Sequence, residues 1–268
     1  IADTTGLQAE LDTLTTQAAG FAGRAITTHA VKLSDARRAK GGRIGTNGKP
    51  VVSFRIDHGI DQFLATHWPL FKARGIPCSV GVVTDAIGNA SDPYEPSTTS
   101  WATLLAEHRT GFEVWAHSRS HLDLPTTGHT LTQEVLGSRD ALEAQGFKVT
   151  GWQQPGVPGV VTPHYSNNWD GDWTSDYGQM ILGNFPFMEM SGIAGGAARA
   201  LPTGDDYDLA HYTLDGLSYT SAKGILDNAL AFGLSTQWMM HPKFISAGTV
   251  TATTADITNF LDYVKTLW

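Results

Sequence analysis

Short apolar runs alternate with helix-like segments from residue 50 to the C-terminus of the chain. Runs of this length are typical of buried strands, and they occupy residues 51–56, 78–83, 112–116, 149–152 and 236–240. Strands separated by helices form parallel sheets with crossover connections. About seven such units fit into roughly 220 residues, so the pattern predicts an α/β fold, a (β/α) barrel of about seven parallel strands.

Capping residues mark the predicted helix boundaries between these runs. Gly75 follows a short helical segment as its stop, and Thr130 with Gln133 forms a capping box for a longer helix. Asp256 is the predicted cap of the last helix. Residues 156–210 are rich in glycine, asparagine, aspartate and aromatic residues, which indicates long loops that shape a groove.

The first 48 residues differ from the rest and predict a separate arm. One amphipathic helix is indicated by apolar residues at three- and four-residue spacing: Leu7, Leu11, Leu14 and Ala18. A polar, basic, glycine-containing linker follows, so we expect an N-terminal helical arm and linker at 1–48 and a separate domain at 49–268. Residues 1–12 resemble a phrase common in bacteriophage tail-fibre proteins, which implies a homotrimer through the arm. The alternative is a helix packed on its own domain.

Composition excludes several classes of partner. The formal net charge of −8 argues against a nucleic-acid surface, which needs a basic face. No apolar run reaches the ~18 residues of a membrane span, so we expect no membrane insertion. No signal peptide is expected in this chain, which begins at Ile1. The single Cys78 excludes an intrachain disulfide, and its apolar surroundings predict a buried, inert thiol.

Polar side chains follow four of the predicted strands, at the point where each strand ends. Functional residues of a (β/α) barrel gather at the carboxyl ends of its strands. The candidates are Asp57, His58, His117, His121, Gln153, Gln154 and His241. Taken alone, the two histidines at 117 and 121 would equally suit a pair of solvated or hydrogen-bonded loop residues.

Three imidazoles with a carboxylate and a fourth histidine together favour metal-assisted hydrolysis. Zinc held by three protein ligands lowers the pKa of a bound water to about 7. A neighbouring carboxylate can then act as general base, and a histidine on the far side can protonate the leaving group. The pattern therefore predicts a hydrolase that acts on an amide or ester carbonyl.

The same residues carry a resemblance to the polysaccharide deacetylase family, also called the NodB-homology family or carbohydrate esterase family 4. The family phrase T-F-D-D-G falls on residues 55–59, and G-x-E-[IV] followed by H-[ST]-x-x-H falls on residues 111–121. R-x-P-[YF] falls on residues 153–156, and a strand ending in L-x-H falls on residues 239–241. The resemblance covers about residues 50–268 and implies a deformed (β/α) barrel, a divalent metal and removal of acetyl groups from sugars.

The resemblance also implies a role for each matching residue. Asp57 falls on the catalytic base and His241 on the general acid, while His117 and His121 fall on two metal ligands. The third ligand of the family is an aspartate, and here that position is His58. Three histidines still suit zinc, so we expect Zn²⁺ at these three residues. The alternative is that Asp61 ligates instead.

A second departure from the family is Gln153, which stands where the family has an arginine that pairs with the base. We expect Gln153 to hydrogen-bond Asp57 without neutralising it, which would leave Asp57 more basic. The family's aspartate- and tryptophan-containing motif has no clear match. The candidates for that motif are Trp169, Asp170 and residues 205–208. Arg199 could serve a similar pairing role.

Residues expected to contact substrate surround these candidates. Aromatic rings stack on the C–H faces of sugars, although they lie in protein cores more often. The expected contacts are Gln153, Gln154, Pro155, Trp115 and Trp238.

Two functions from different classes fit this pattern. The first is a metal-dependent deacetylase acting on an acetylated bacterial polysaccharide, N- or O-linked, extracellular or virion-associated on a phage tail. The second is a glycan-binding receptor module with weak catalysis, which the departures at His58 and Gln153 favour. Retention of both Asp57 and His241 argues against the second, because a binding module needs neither a base nor an acid. A domain with scattered histidines would require four ordered matches to be accidental.

Overall fold

The structure, a computed structural model, describes residues 50–122, 124–156, 176–189, 198–199 and 211–267. The predicted arm at 1–48 lies outside these residues. The strands of the described part are β1 (Val52–Asp57), β2 (Ser79–Val82), β3 (Glu113–Ala116), β4 (Gly151–Gln153), β5 (Phe187–Glu189), β6 (Ala198–Arg199), β7 (Tyr212–Thr213) and β8 (Ser235–Met240).

Helices connect the strands across one side of the sheet. Within the described ranges they are α1 (Ile60–Gln62), α2 (Trp68–Arg74), α3 (Trp101–His108), α4 (Leu124–Thr127), α5 (Leu131–Ala144), α6 (Asp176–Asn184), α7 (Tyr219–Ala231), α8 (Pro242–Ala247) and α9 (Thr254–Thr266). A π-helical turn, Phe63–His67, joins α1 to α2. None of the described helices is long and apolar enough to cross a membrane.

The strands form one curled sheet in the order β5-β4-β3-β2-β1-β8-β6, and β7 also pairs with β8. All of these pairings are parallel except that of β6, which runs antiparallel to β8. The predicted α/β barrel of about seven parallel strands is therefore confirmed. Because the strands are parallel, their carboxyl ends meet at one edge.

The two faces of the sheet differ sharply in polarity. Successive side chains of a strand point to opposite faces, and the register places Phe54 beside Trp238 and Arg55 beside Ser79. The face that packs under the helices is apolar, with Phe54 5.2 Å from Phe71 of α2, centroid to centroid. Its buried residues are Phe54, Ile56, Val80, Val82, Val114, Ala116, Trp152, Met188, Trp238 and Met240.

The concave face carries the polar residues, and two glycines make room for them. A Cβ at Gly81 would lie 2.0 Å from Oε1 of Gln153 and 3.0 Å from Cγ of His117. A Cβ at Gly151 would lie 2.0 Å from the indole of Trp115. Larger residues at these two positions would displace side chains next to the strand ends.

Most predicted elements are present, and a few boundaries are corrected. The helix stop at Gly75 and the capping box of Thr130 are confirmed. The last helix is capped by Thr253, and Asp256 is the third residue of the helix, whose side chain completes the capping box, so the predicted cap was wrong. Residues 156–210 also contain α6, β5 and β6, which are short elements in a stretch rich in polar residues and glycine.

Candidate active site and metal centre

Two tight turns at the carboxyl ends of β1 and β3 form the site. His58 adopts the left-handed backbone region with φ of 41°, and Gly59 follows it at 64°. After β3, Ser118 and His121 have φ of 63° and 58°. Non-glycine residues rarely adopt these angles, and such strain clusters at functional sites. The turns bring the histidines of distant strands together over the concave face.

The predicted ligands His58, His117 and His121 form one buried cluster, in which a ring nitrogen of each lies within 4.8 Å of those of the others. The Nδ1–H of His117 faces the carbonyl of Gln153 at 3.0 Å, so the lone pair lies on Nε2. Nε2 of His117 is buried without a hydrogen-bond partner, and so is Nδ1 of His121. Buried, unpartnered nitrogens of this kind fit a divalent cation.

All three imidazoles are neutral at neutral pH, which is the form that binds metal. Burial lowers the pKa of His117 to about 3. Burial also lowers the pKa of His121 and of His58 below the usual value for histidine. The mutual repulsion of the rings would add to this effect for His121, because His117 and His58 lie beside it.

Asp61, the alternative third ligand, is engaged elsewhere. Its carboxylate accepts hydrogen bonds from the hydroxyl of Ser97 at 2.6 Å and from backbone and hydroxyl groups of Thr98 and Thr99 at 2.6–3.1 Å. It thereby fastens the loop over residues 92–99 to α1. The structure therefore brings His58, and not Asp61, into the cluster.

Asp57, the predicted base, is paired with Arg55 of its own strand. Both side chains are buried, and the guanidinium contacts both carboxylate oxygens, with Nη2 2.7 Å from Oδ2. Nη2 also donates to the carbonyl of Gln154 at 2.9 Å. Burial acts to raise the pKa of Asp57, but Arg55, His117 and His241 together hold it well below the usual range.

Two predictions about Gln153 are therefore wrong. Its Nε2 donates to Ser79 at 3.2 Å and not to Asp57. Asp57 is also less basic than expected, because Arg55 supplies the positive charge that glutamine lacks. The arginine was missed because it stands inside an apolar run, although polar residues at every second position of β1 indicate a polar inner face.

His241, the predicted acid, is held by Asp215. Its Nδ1 lies 2.5 Å from Oδ2 of Asp215, and its backbone N–H donates to Oδ1 at 3.0 Å. Its Nε2 lies 3.9 Å from Oδ2 of Asp57. Burial acts to lower the pKa of His241, but the hydrogen bond to Asp215 and the charges of Asp57 and Asp215 raise it above the usual value.

Sequence analysis missed Asp215, which lies in the 3₁₀ turn Leu214–Gly216. The candidates for the family's aspartate- and tryptophan-containing motif stay untested, because Trp169, Asp170 and residues 205–208 lie outside the described residues. Only the backbone of Arg199 is described, in β6. An aspartate 26 residues from its histidine leaves no local spacing signal.

Glu134 of α5 was also missed, and it supports the turn that carries the two histidines. Its fully buried carboxylate accepts the backbone N–H groups of Arg119 at 3.0 Å and Ser120 at 2.9 Å. It also contacts the Ser120 hydroxyl at 2.7 Å and Nδ1 of His129 at 2.6 Å. These contacts hold the turn between His117 and His121 in its strained shape.

The predicted substrate contacts are all buried. The predicted substrate contact of Trp238 is wrong, because this side chain lies on the helix-facing side of the sheet. It packs against Phe260 at 4.7 Å between ring centroids. Trp115 covers Gly151 and stacks on Phe187 at 6.3 Å. The side chain of Gln154 accepts a hydrogen bond from Tyr177. Contact of Gln153, Gln154, Pro155 or Trp115 with substrate stays a prediction.

Comparison of the fold with solved structures finds several deacetylases. A protein described as a polysaccharide deacetylase from Mycobacterium smegmatis is 16% identical, with 81% of this chain and 85% of that chain covered and a TM-score of 0.51. A CE4 esterase from Streptococcus mutans is 17% identical, with 82% and 84% covered and a TM-score of 0.47. The peptidoglycan deacetylase PdaC from Bacillus subtilis is 15% identical, with 82% and 85% covered and a TM-score of 0.38.

The chain has the deformed barrel fold of the polysaccharide deacetylases. The Mycobacterium smegmatis structure supports this at the level of the fold. No model of a known protein family matches the sequence. No curated protein matches it either. Within this deacetylase fold, the histidine cluster, Asp57 and His241 all lie at the carboxyl edge of the sheet.

Proposed function

We propose that this protein is a metal-dependent hydrolase that removes acetyl groups from a bacterial surface or cell-wall polysaccharide. The observation that carries the proposal is the cluster of His58, His117 and His121 beside the pair Asp57 and His241. The fold shared with the Mycobacterium smegmatis protein described as a polysaccharide deacetylase supports the same reaction. A ligand cluster beside a general base of lowered pKa and a general acid of raised pKa suits hydrolysis of a carbonyl compound.

His58, His117 and His121 would hold the metal, and a set of three histidines is one that zinc adopts in hydrolytic sites. A divalent cation, when bound, polarises a carbonyl group and lowers the pKa of water. The chain supplies the remaining groups, which bind and move protons.

Asp57 acts as the base. Its lowered pKa keeps it ionised at neutral pH, and Arg55 fixes the plane of its carboxylate, leaving lone pairs free to accept a proton. Water loses this proton to Asp57 as its oxygen bonds to the acetyl carbonyl carbon and the π electron pair of the carbonyl moves onto the carbonyl oxygen. The carbon is then bonded to both the incoming oxygen and the departing nitrogen or oxygen of the sugar.

His241 acts as the acid. Its raised pKa favours the protonated ring, and Asp215 on Nδ1 directs the Nε2–H towards Asp57 and the reacting group. Transfer of that proton to the sugar nitrogen or oxygen allows the bond to the acetyl carbon to break. Acetate and the free amine or hydroxyl leave. Either an N-acetyl or an O-acetyl group can react in this way.

One of the two observations that favoured the glycan-binding alternative no longer supports it. It rested on His58 and Gln153, and the pairing that Gln153 cannot provide is provided by Arg55. A buried base with a dedicated counter-charge and an acid with a dedicated carboxylate are features that binding alone does not need.

We further propose an acetylated polysaccharide outside the cell as the partner, met by an extracellular or phage-tail protein. The support is the resemblance of residues 1–12 to phage tail fibres, which also motivates a homotrimer through the arm. Size-exclusion chromatography with light scattering of the full chain tests it, since a monomer contradicts the trimer.

Acetate release from N-acetylated and O-acetylated glycans tests the enzymatic proposal. Zinc-loaded protein should release acetate, whereas chelator-treated protein and the Asp57→Asn variant should not. Equal release by the variant, or no release from any glycan by zinc-loaded wild-type protein, would overturn it. Which glycans react then distinguishes amide from ester substrates.

A further inference from the structure

The proposed ligand set carries no negative charge. His58, His117 and His121 are buried neutral imidazoles, and the charge of Asp57 is balanced by Arg55. A divalent cation bound there would be poorly compensated, because burying uncompensated charge is costly. A further anion close to the cluster would therefore strengthen metal binding.

Glu95 is such an anion, and it lies against His58. The residue is 3% exposed, and Oε1 accepts the backbone N–H of Gly59 at 2.7 Å. Oε2 lies 3.0 Å from Nδ1 of His58, and neither of these two buried atoms makes an aligned hydrogen bond. The half-buried Lys243 approaches Oε2 at 3.6 Å from the outer side.

The loop over residues 92–99 fixes Glu95 in this position. Asp92 accepts the backbone N–H groups of Tyr94 at 3.0 Å and Glu95 at 2.7 Å. Asp61 fastens the following residues, and Lys243 donates to the carbonyl of Tyr94 at 2.9 Å. The carboxylate therefore approaches His58 from a preformed loop, which keeps its loss of side-chain entropy small.

The Nε2 edge of the His58 ring faces Tyr94, which packs against His121. Its Nε2 lies 3.4 Å from the hydroxyl of Tyr94, and the Tyr94 ring stacks on His121 at 4.0 Å between centroids. Nδ1 thus points to Glu95 and Nε2 to the side where His121 lies. A proton on Nδ1 leaves the Nε2 lone pair available to a metal.

We infer that Glu95 is a positioning residue for the metal site, which rests on the metal dependence in the proposed function. Its carboxylate pairs with Nδ1 of His58 across the 3.0 Å contact, which favours the tautomer with its lone pair on Nε2, and it returns one negative charge to the ligand set. Together His58 and Glu95 match the charge of a single carboxylate ligand. A carboxylate behind a metal-binding histidine orients it and increases its basicity.

Zinc affinity of the Glu95→Gln variant tests this inference, measured by competition with a chromophoric chelator. Glutamine keeps an acceptor for Gly59 but loses the charge, so we expect affinity about 10- to 100-fold weaker than wild type. Glu107→Gln is the matched control, because Glu107 lies on the surface of α3 beside Lys72. It should bind zinc as wild type does.

A double-variant cycle separates the charge from general damage to the loop. In a His58→Asp background the ligand carries its own charge and has no N–H to orient, so Glu95→Gln should cause no further loss. An equal loss in both backgrounds would overturn the inference, because it would indicate disruption of the loop. The cycle measures coupling between the two positions directly.

The wild-type protein gives an independent measurement that needs no variant to fold. Long-range ¹H–¹⁵N NMR of the metal-free chain should place the His58 proton on Nδ1, and a proton on Nε2 would overturn the inference. Wild-type protein that binds no zinc would overturn the proposed function as well. Wild-type binding with an unchanged Glu95→Gln affinity overturns only the role of Glu95.

Discussion

Arg55 donates hydrogen bonds to both carboxylate oxygens of Asp57, which lies two residues later on the same strand. Residues at this spacing share one face of a strand, so β1 carries both the proposed base and its counter-charge. Because the ion pair is buried, removing only one of its partners would leave an uncompensated buried charge and destabilise the fold.

Replacing Arg55 by methionine should therefore leave a buried carboxylate without its counter-charge. We expect a loss of about 3–5 kcal/mol in the free energy of unfolding, measured by urea denaturation at pH 7. The control is Arg74→Met, which removes an ion pair of Arg74 with the exposed Asp262. Surface pairs contribute about 0–1 kcal/mol, so a comparable loss in both variants would contradict the assigned role.

The same variant should shift the acidic side of the pH–rate profile. Asp57 must be ionised to accept a proton, so activity falls as pH drops through its folded pKa. Wild type keeps that pKa well below the usual range, and loss of Arg55 lets burial raise it. The acidic limb of kcat/KM should therefore move to higher pH in Arg55→Met, and an unmoved limb would remove Asp57 as the base.

Replacing Asp215 by asparagine should shift the alkaline side. His241 donates a proton, so activity is full below its folded pKa and falls as pH rises through that value. Asp215 helps to raise the pKa, and asparagine keeps the acceptor for the backbone N–H without the charge. We expect the alkaline limb of kcat/KM to begin at lower pH, whereas Asp227→Asn, at the surface beside Lys223, should leave it in place.

Replacing His241 by alanine should separate catalysis from metal binding. Loss of a general acid costs about 10²–10⁴-fold in turnover, while the three ligand histidines remain. Zinc content measured by elemental analysis should stay at the wild-type level. Turnover within a few-fold of wild type would exclude His241 as the acid.

Replacing His117 by alanine should weaken metal binding and its effect on stability. A ligand at about 100 times its Kd stabilises a protein by roughly 2.7 kcal/mol, so zinc should raise the Tm of wild type. The variant should lose most of that increase. An unchanged zinc-induced rise in Tm would show that the cluster is not the binding site.

The barrel and the strand-end residues were predictable from the sequence because each rests on local pattern. Apolar runs located the strands, and the residues after them included Asp57, His58, His117, His121 and His241. Parallel strands bring such ends to one edge whatever the loops between them contain.

The supporting residues were not predictable, because their contacts join segments far apart in sequence. Glu95 meets the backbone of Gly59 across 36 positions, and Asp215 meets His241 across 26. The importance of Gly81 and Gly151 was not predictable either, because it depends on side chains from other strands that occupy the space where a Cβ would lie. Trp238 illustrates the opposite error, since a position near a strand end does not reveal which face it occupies.

The alternation of polar and apolar residues along β1 also limits how the chain can change in length. Removing one residue from this strand would turn Arg55 and Asp57 into the space under the helices and Phe54 and Ile56 into the concave face. Insertions and deletions are therefore tolerable only in the connecting loops, several of which border the strand ends. Exchange of these loops would change the surface around the strand ends while Arg55 and Asp57 stay in place.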